Sequence, residues 1–171
     1  RRPKDGIALA ERISGDTAVG HSLAFALAVE EASGAVVSEQ DQRLRALLLE
    51  LERLYNHVGD LGAIPNDVGF GIAHAHAQRL RETLLRVNES VTGHRLLRGA
   101  ITVGGTCAQS LPDLTVLERL VGEVAELVDI VRGPPVVRER LTGAAVPPYA
   151  EATARHTVGF VARASGVDAD A

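Results

Sequence analysis

Side chains able to move protons, hold a metal or attack a substrate are sparse in this 171-residue sequence. His21 follows the run Arg12-Ile13-Ser14-Gly15-Asp16-Thr17-Ala18-Val19-Gly20. An imidazole there serves either as a proton carrier or as an ordinary structural or surface group. His57 stands beside Asn56 in a long periodic segment, where a hydrogen bond between packed helices is the leading reading. His74 and His76 are two residues apart, so on a helix they diverge and make a poor metal pair. Asp67 follows Pro65-Asn66 and reads first as a helix N-cap, with a functional carboxylate as the competing reading. Cys107 has no histidine at a nucleophile motif, so a buried or incidental thiol is expected. One cysteine rules out an intrachain disulfide framework and a multi-cysteine iron–sulfur or zinc site within this chain, and it suits a reducing compartment. Neither G-x-x-x-x-G-K-S/T nor G-x-G-x-x-G occurs, and Gly15, Gly20 and Gly34 do not make a phosphate cradle.

Helices must position these groups. A first helix is expected from Asp5 to Ile13 and a second from Asp16 or Thr17 to Gly34. The third is the clearest: after an N-cap at Ser38, residues Leu44, Leu47, Leu48, Leu51, Leu54, Tyr55, Val58 and Leu61 recur every three or four positions. Arg43, Arg45, Glu50, Glu52 and Arg53 read as decoration of the remaining surface. Ser38–Ile64 would span roughly 40 Å, a length that belongs in a bundle. Pro65 is expected to interrupt it. A fourth helix is predicted over Gly71–Val91, with an i,i+4 pair of Glu82 and Arg86 and a stop at Thr92-Gly93. Arg95–Gly105 reads as a small hairpin or an irregular loop. A fifth helix runs from Pro112-Asp113 to Val131 and breaks at Gly133-Pro134-Pro135; a short one follows over Val136–Leu141. In the tail, a turn or two of helix is expected around Tyr149–Arg155, and strands or loops over Gly159–Val167. The expected fold is mainly α, a bundle of about four main helices with small irregular or β additions, in one domain covering residues 1–171.

Composition agrees with a packed domain. Hydrophobic residues make up 46% and charged residues 23%, which argues against disorder. Aromatic residues are only 3%, so the core must rest on Leu, Val, Ile and Ala. Eighteen Lys and Arg against 22 Asp and Glu give a net charge of −4, and no nucleic-acid partner is expected. No apolar run is long enough to span a bilayer. With no methionine and an Arg1-Arg2-Pro3-Lys4 start, the chain reads as a piece of a longer protein.

Several separated stretches together resemble a known family. The run Ala10-Glu11-Arg12-Ile13-Ser14-Gly15-Asp16-Thr17-Ala18-Val19-Gly20-His21-Ser22 resembles the R-x-C-G-x-C-x-x-x-H motif of nickel–iron hydrogenase large subunits. The match continues through Ala28-Val29-Glu30, RALLLELERLYNH (Arg45 to His57), Asp67, RLRETLLRVNESVTGHR (Arg79 to Arg95), Gly104-Gly105 and Val161–Gly166. The branch it is most similar to is the membrane-bound, energy-converting group. That branch holds the large subunit of formate hydrogenlyase and the 49-kDa, quinone-site subunit of respiratory NADH dehydrogenase.

The departures limit what the resemblance implies. Ser14 and Thr17 replace the motif's two cysteines. Neutral hydroxyls are poor substitutes for soft, charged thiolates, so no nickel–iron centre and no other cofactor is expected in this fragment. The family's second cysteine pair would lie beyond it. In the respiratory branch the corresponding cavity takes quinone, through a tyrosine whose place is Gly15 here and a histidine that would precede Arg1. Asp67 matches the aspartate that holds that histidine. Arg12 matches an arginine beside the cavity, His21 the motif histidine, and Glu30 an early carboxylate with a conceivable proton-path role. Asp67 and His21 are thus the implied proton-handling residues and Arg12 the electrostatic one; alternatively, Arg12 simply pairs with Glu30 or Asp16. The implied function is electron transfer to quinone or another acceptor, within a complex containing an iron–sulfur small subunit and membrane subunits. NAD binding is implied for the assembly, not for a motif here. The implied location is cytoplasmic, or peripheral on the cytoplasmic face of the inner membrane through partners. The competing reading is a degenerate structural or assembly subunit.

Overall fold

The computed structural model describes residues 3–168. The chain divides into two compact units, Arg1–Gly133 and Pro134–Ala171. In the first unit, α1 (Pro3–Ala10) and α2 (Ala18–Ser33) precede two long helices, α3 (Glu39–Asp67) and α4 (Gly71–Thr92). A two-stranded hairpin, β1 (Ile101–Thr102) and β2 (Gly105–Thr106), leads to α5 (Leu114–Arg132). Its strands are antiparallel, with Ile101 opposite Thr106. The second unit holds three short helices: α6 (Pro135–Leu141), α7 (Tyr149–Ala154) and α8 (Gly159–Ala164). The mainly α bundle with a small β addition is therefore what the chain forms.

Local chemistry accounts for most boundaries. The Ser38 hydroxyl accepts from the Asp41 amide and starts α3, and Asp113 does the same for α5 through the Thr115 amide. Gly34 and Gly93 close α2 and α4 in the left-handed conformation, at φ 68° and 79°. The first helix ends at Ala10, earlier than expected, and Ile13 is exposed.

Three expectations are corrected. Pro65 does not interrupt α3; it lies in the last turn, buried, and its carbonyl accepts from the Val68 and Phe70 amides. A proline costs its helix the hydrogen bond its own nitrogen would donate, which one last turn tolerates when its ring is packed. Asp67 consequently is the final residue of α3, not an N-cap, and α4 is preceded by Phe70. Gly159–Ala164 is a short helix, not a strand or loop.

The core of the first unit forms two clusters. Ile7, Val19, Ala26, Leu48, Leu51, Val91 and Ile101 meet at one end, and Tyr55, Val58, Ala77, Leu80, Leu84, Leu120 and Leu127 at the other. The close pairing of α3 with α4 depends on small residues: a Cβ on Gly62 would lie 2.5 Å from the Ala77 Cβ. Arg45 and Glu52, expected on the surface of α3, are instead buried at 3% and 2% exposure. They share the stripe of Leu48 and Tyr55, because positions 45, 48, 52 and 55 fall on one side of a helix. Among the described residues, no helix is long and apolar enough to cross a membrane.

Candidate functional site

The Arg12–Thr17 loop joins α1 to α2 and lies against the middle of α3. Three α3 side chains at helical spacing hold it and the first turn of α2 there. The Tyr55 hydroxyl and the Asn56 side-chain amide both donate to the Asp16 carbonyl, at 3.0 and 2.7 Å. The Glu52 carboxylate accepts from the Val19 amide at 2.6 Å and the Gly20 amide at 2.8 Å. These are first-turn amides of α2, which no earlier helical carbonyl can satisfy. Thr17, the N-cap of α2, makes no side-chain capping bond, so Glu52 does that work from another helix.

Burial shapes the electrostatics. Desolvation pushes the Glu52 carboxyl above its ordinary value, while the Gly20, Val19 and Ala18 amides and the charge of His21 pull the other way. Desolvation, then the nearby Glu52 charge, raises the Tyr55 phenol to about 12. Tyr55 is fully buried, and the Arg81 guanidinium of α4 stands 5.5 Å from its ring centre.

Of the three residues singled out from the sequence, His21 is half-buried on α2 beside Glu52, and Arg12 is exposed in the turn after α1. Asp67 is exposed, twelve residues beyond Tyr55 along α3, or about 18 Å at the helical rise. Arg12 thus opens the loop, His21 follows it in the first turns of α2 beside Glu52, and Asp67 belongs to the far end of α3. Arg12 does not pair with Glu30; Arg45 does, through both guanidinium nitrogens. Glu30 is therefore neutralised inside the protein and also accepts from the Gly104 amide at 2.7 Å. Glu11 fastens the other side of the loop, accepting from the Gly99 amide at 2.6 Å. Cys107 is exposed, so of the two expected readings, a buried or an incidental thiol, the buried one does not hold.

The donor set does not suit nickel and iron. Ser14 donates its hydroxyl to Asp16 Oδ1 at 3.2 Å, and the Thr17 methyl faces the open side of Gly20. Neither offers a thiolate. Among the described residues, no group of three or more His, Cys, Asp or Glu is placed to hold a metal ion.

Sequence reasoning missed Glu52, Tyr55 and Asn56 as a set. The available signal was their i, i+3, i+4 spacing on the buried stripe, with a charged residue on an otherwise apolar side.

Known proteins share this arrangement of sequence. Residues 67–171 match the family described as the respiratory-chain NADH dehydrogenase 49 Kd subunit. The chain is 34% identical over 163 residues to formate hydrogenlyase subunit 5 of Escherichia coli, covering 92% of this chain and 29% of that protein. It is 37% identical over 156 residues to NADH-quinone oxidoreductase subunit 4 of Thermus thermophilus, covering 88% and 38%. Against the alpha subunit of the membrane-bound hydrogenase of Pyrococcus furiosus it is 29% identical over 167 residues, covering 95% and 39%. The chain thus spans less than half the length of these relatives. With a match running from the end of α3 across both units, the chain belongs to the family of the respiratory NADH dehydrogenase 49-kDa subunit, which it shares with hydrogenase-type relatives.

Proposed function

We propose that this chain is part of a large subunit that passes electrons to quinone or another acceptor within a multisubunit oxidoreductase, without a nickel–iron centre of its own. The observation that carries this reading is the Arg12–Thr17 loop. Ser14 and Thr17 stand where the motif it resembles has thiols, yet Tyr55 and Asn56 fix its backbone against α3 and Glu52 holds the first turn of α2 that follows it. The loop thus keeps a fixed backbone without the motif's metal ligands. In this reading residues 1–171 form one domain-sized part of the large subunit. Electrons arrive from an iron–sulfur small subunit, and membrane subunits hold the complex at the cytoplasmic face of the inner membrane. His21 and Asp67 handle protons at separate points, and Arg12 supplies positive charge to a developing anion.

The test uses the full-length protein purified with its partner subunits. Iron–sulfur clusters without nickel, together with reduction of a water-soluble quinone that falls at least tenfold in His21→Gln, support the proposal. Stoichiometric nickel overturns its metal-free part. Assembly of the complex with no acceptor reduction favours a structural subunit instead.

A further inference from the structure

One carboxylate joins the loop, α2 and α3. Glu52 is 2% exposed, and each of its oxygens receives an amide from the first turn of α2. That approach depends on Gly20, where a Cβ would fall 2.8 Å from the Thr17 methyl and 3.4 Å from Glu52 Oε1. His21 follows directly, and its charge acts on Glu52. We propose that Glu52 is a positioning residue that fastens the first turn of α2 to α3 and couples the charge of His21 to how tightly that turn is held. The inference rests on the reading of His21 as a proton-handling residue of the site.

An ionised carboxylate is a stronger acceptor for two amides than a protonated one. Protonation of Glu52 therefore loosens the turn that carries His21. His21 on α2 is the charged group that acts on Glu52, and Tyr55, one turn further along α3, in turn feels Glu52, Arg81 of α4 and Asp16 of the preceding loop. A positive charge at His21 favours the ionised form of Glu52 and so the two amide hydrogen bonds. Burial raises the Glu52 carboxyl, which brings the transition above the ordinary carboxylate range.

Hydrogen exchange read by mass spectrometry on the full-length protein in its complex tests this without any need for turnover. Protection of the peptide covering Ala18–Gly20, corrected for intrinsic exchange, is followed against pH. In the unsubstituted protein it should drop through a midpoint above the ordinary carboxylate range. Glu52→Gln should lower protection about tenfold at neutral pH and flatten its pH dependence, while peptides of α4 keep theirs. Gly20→Ala should weaken protection without removing the carboxylate. His21→Gln should move the midpoint upward, an effect that a purely structural cap would not produce. Unchanged protection in Glu52→Gln, or an unmoved midpoint in His21→Gln, overturns the proposal. Failure of the acceptor-reduction reading shows separately, as an inactive complex in which these exchange differences persist.

Discussion

The guanidinium of Arg45 grips both carboxylate oxygens of Glu30, at 2.9 and 2.6 Å, from a different helix. The same guanidinium donates to the Thr102 carbonyl at 2.8 Å, and Glu30 Oε1 receives the Gly104 amide. One buried pair therefore ties α2, α3 and the β1–β2 hairpin together. Asp41 adds a second tie, accepting from the Thr106 hydroxyl at 2.7 Å.

Removing one member of this pair should be costly. Arg45→Met leaves Glu30 buried and uncompensated, with an expected loss of roughly 3–5 kcal/mol in chemical denaturation. Replacing Glu30 and Arg45 together by Leu and Met should recover most of it, because two matched charges leave the interior at once. A loss below about 1 kcal/mol for Arg45→Met would mean that the pair behaves as a surface salt bridge.

Acid should open the hairpin before it unfolds the bundle. The Arg45 hydrogen bonds hold the Glu30 carboxyl below its ordinary value, against an opposing desolvation effect. Its folded value is thus lower than its unfolded one. The stabilisation is complete above the ordinary carboxylate range and fades as pH falls through the depressed value. Ser38 and Thr106 shift Asp41 in the same direction. Exchange at the Gly104 amide should therefore accelerate below the ordinary carboxylate range. Arg45→Met should move that acid step to higher pH, since desolvation then acts on Glu30 without the opposing guanidinium.

The close contact of α3 and α4 yields a steric prediction. Gly62 faces the Ala77 Cβ and the His74 Cα, which a new Cβ would approach to 2.5 and 3.2 Å. Backbone cannot yield as a flexible side chain does. Gly62→Ala should lower stability by about 1–3 kcal/mol in denaturant titration despite its better helix propensity. A stabilised variant would show that the two helices separate freely.

Periodicity makes the bundle legible. The Leu80, Leu84, Val87 and Val91 stripe and the Ser38 and Gly93 boundaries can be read because burial and capping follow from local residue types. Two kinds of feature cannot. Arg45 and Glu52 read as surface charges, since their burial depends on partners 15 and more than 30 positions away. Pro65 reads as a break, since only packing shows that a last turn can carry it. The candidate site is half legible: the motif-like loop with Arg12 and His21 stands out, but the α3 residues that hold it do not. Asp67 follows them closely in the order of motifs and lies about 18 Å further along α3.

Tyr55 gives an alkaline test of how the loop is held. Its phenol is raised to about 12, chiefly by burial, against an ordinary value of 10.0. The unfolded chain therefore releases this proton at lower pH than the folded one does. The contribution is intact below the ordinary phenol value and is lost as pH rises towards about 12. Tyr55→Phe removes the titration and should flatten the stability profile in that window. At neutral pH it should cost about 0.5–1.5 kcal/mol for the lost hydrogen bond. The lower end is expected, since Asn56 still donates to the Asp16 carbonyl at 2.7 Å. Tyr55→Phe combined with Asn56→Ala leaves that carbonyl without either donor, so the double substitution should cost more than the two single ones summed. Denaturation midpoints at neutral pH and near about pH 11 check both expectations. An alkaline loss of the same size in Tyr55→Phe would place its origin elsewhere in the chain.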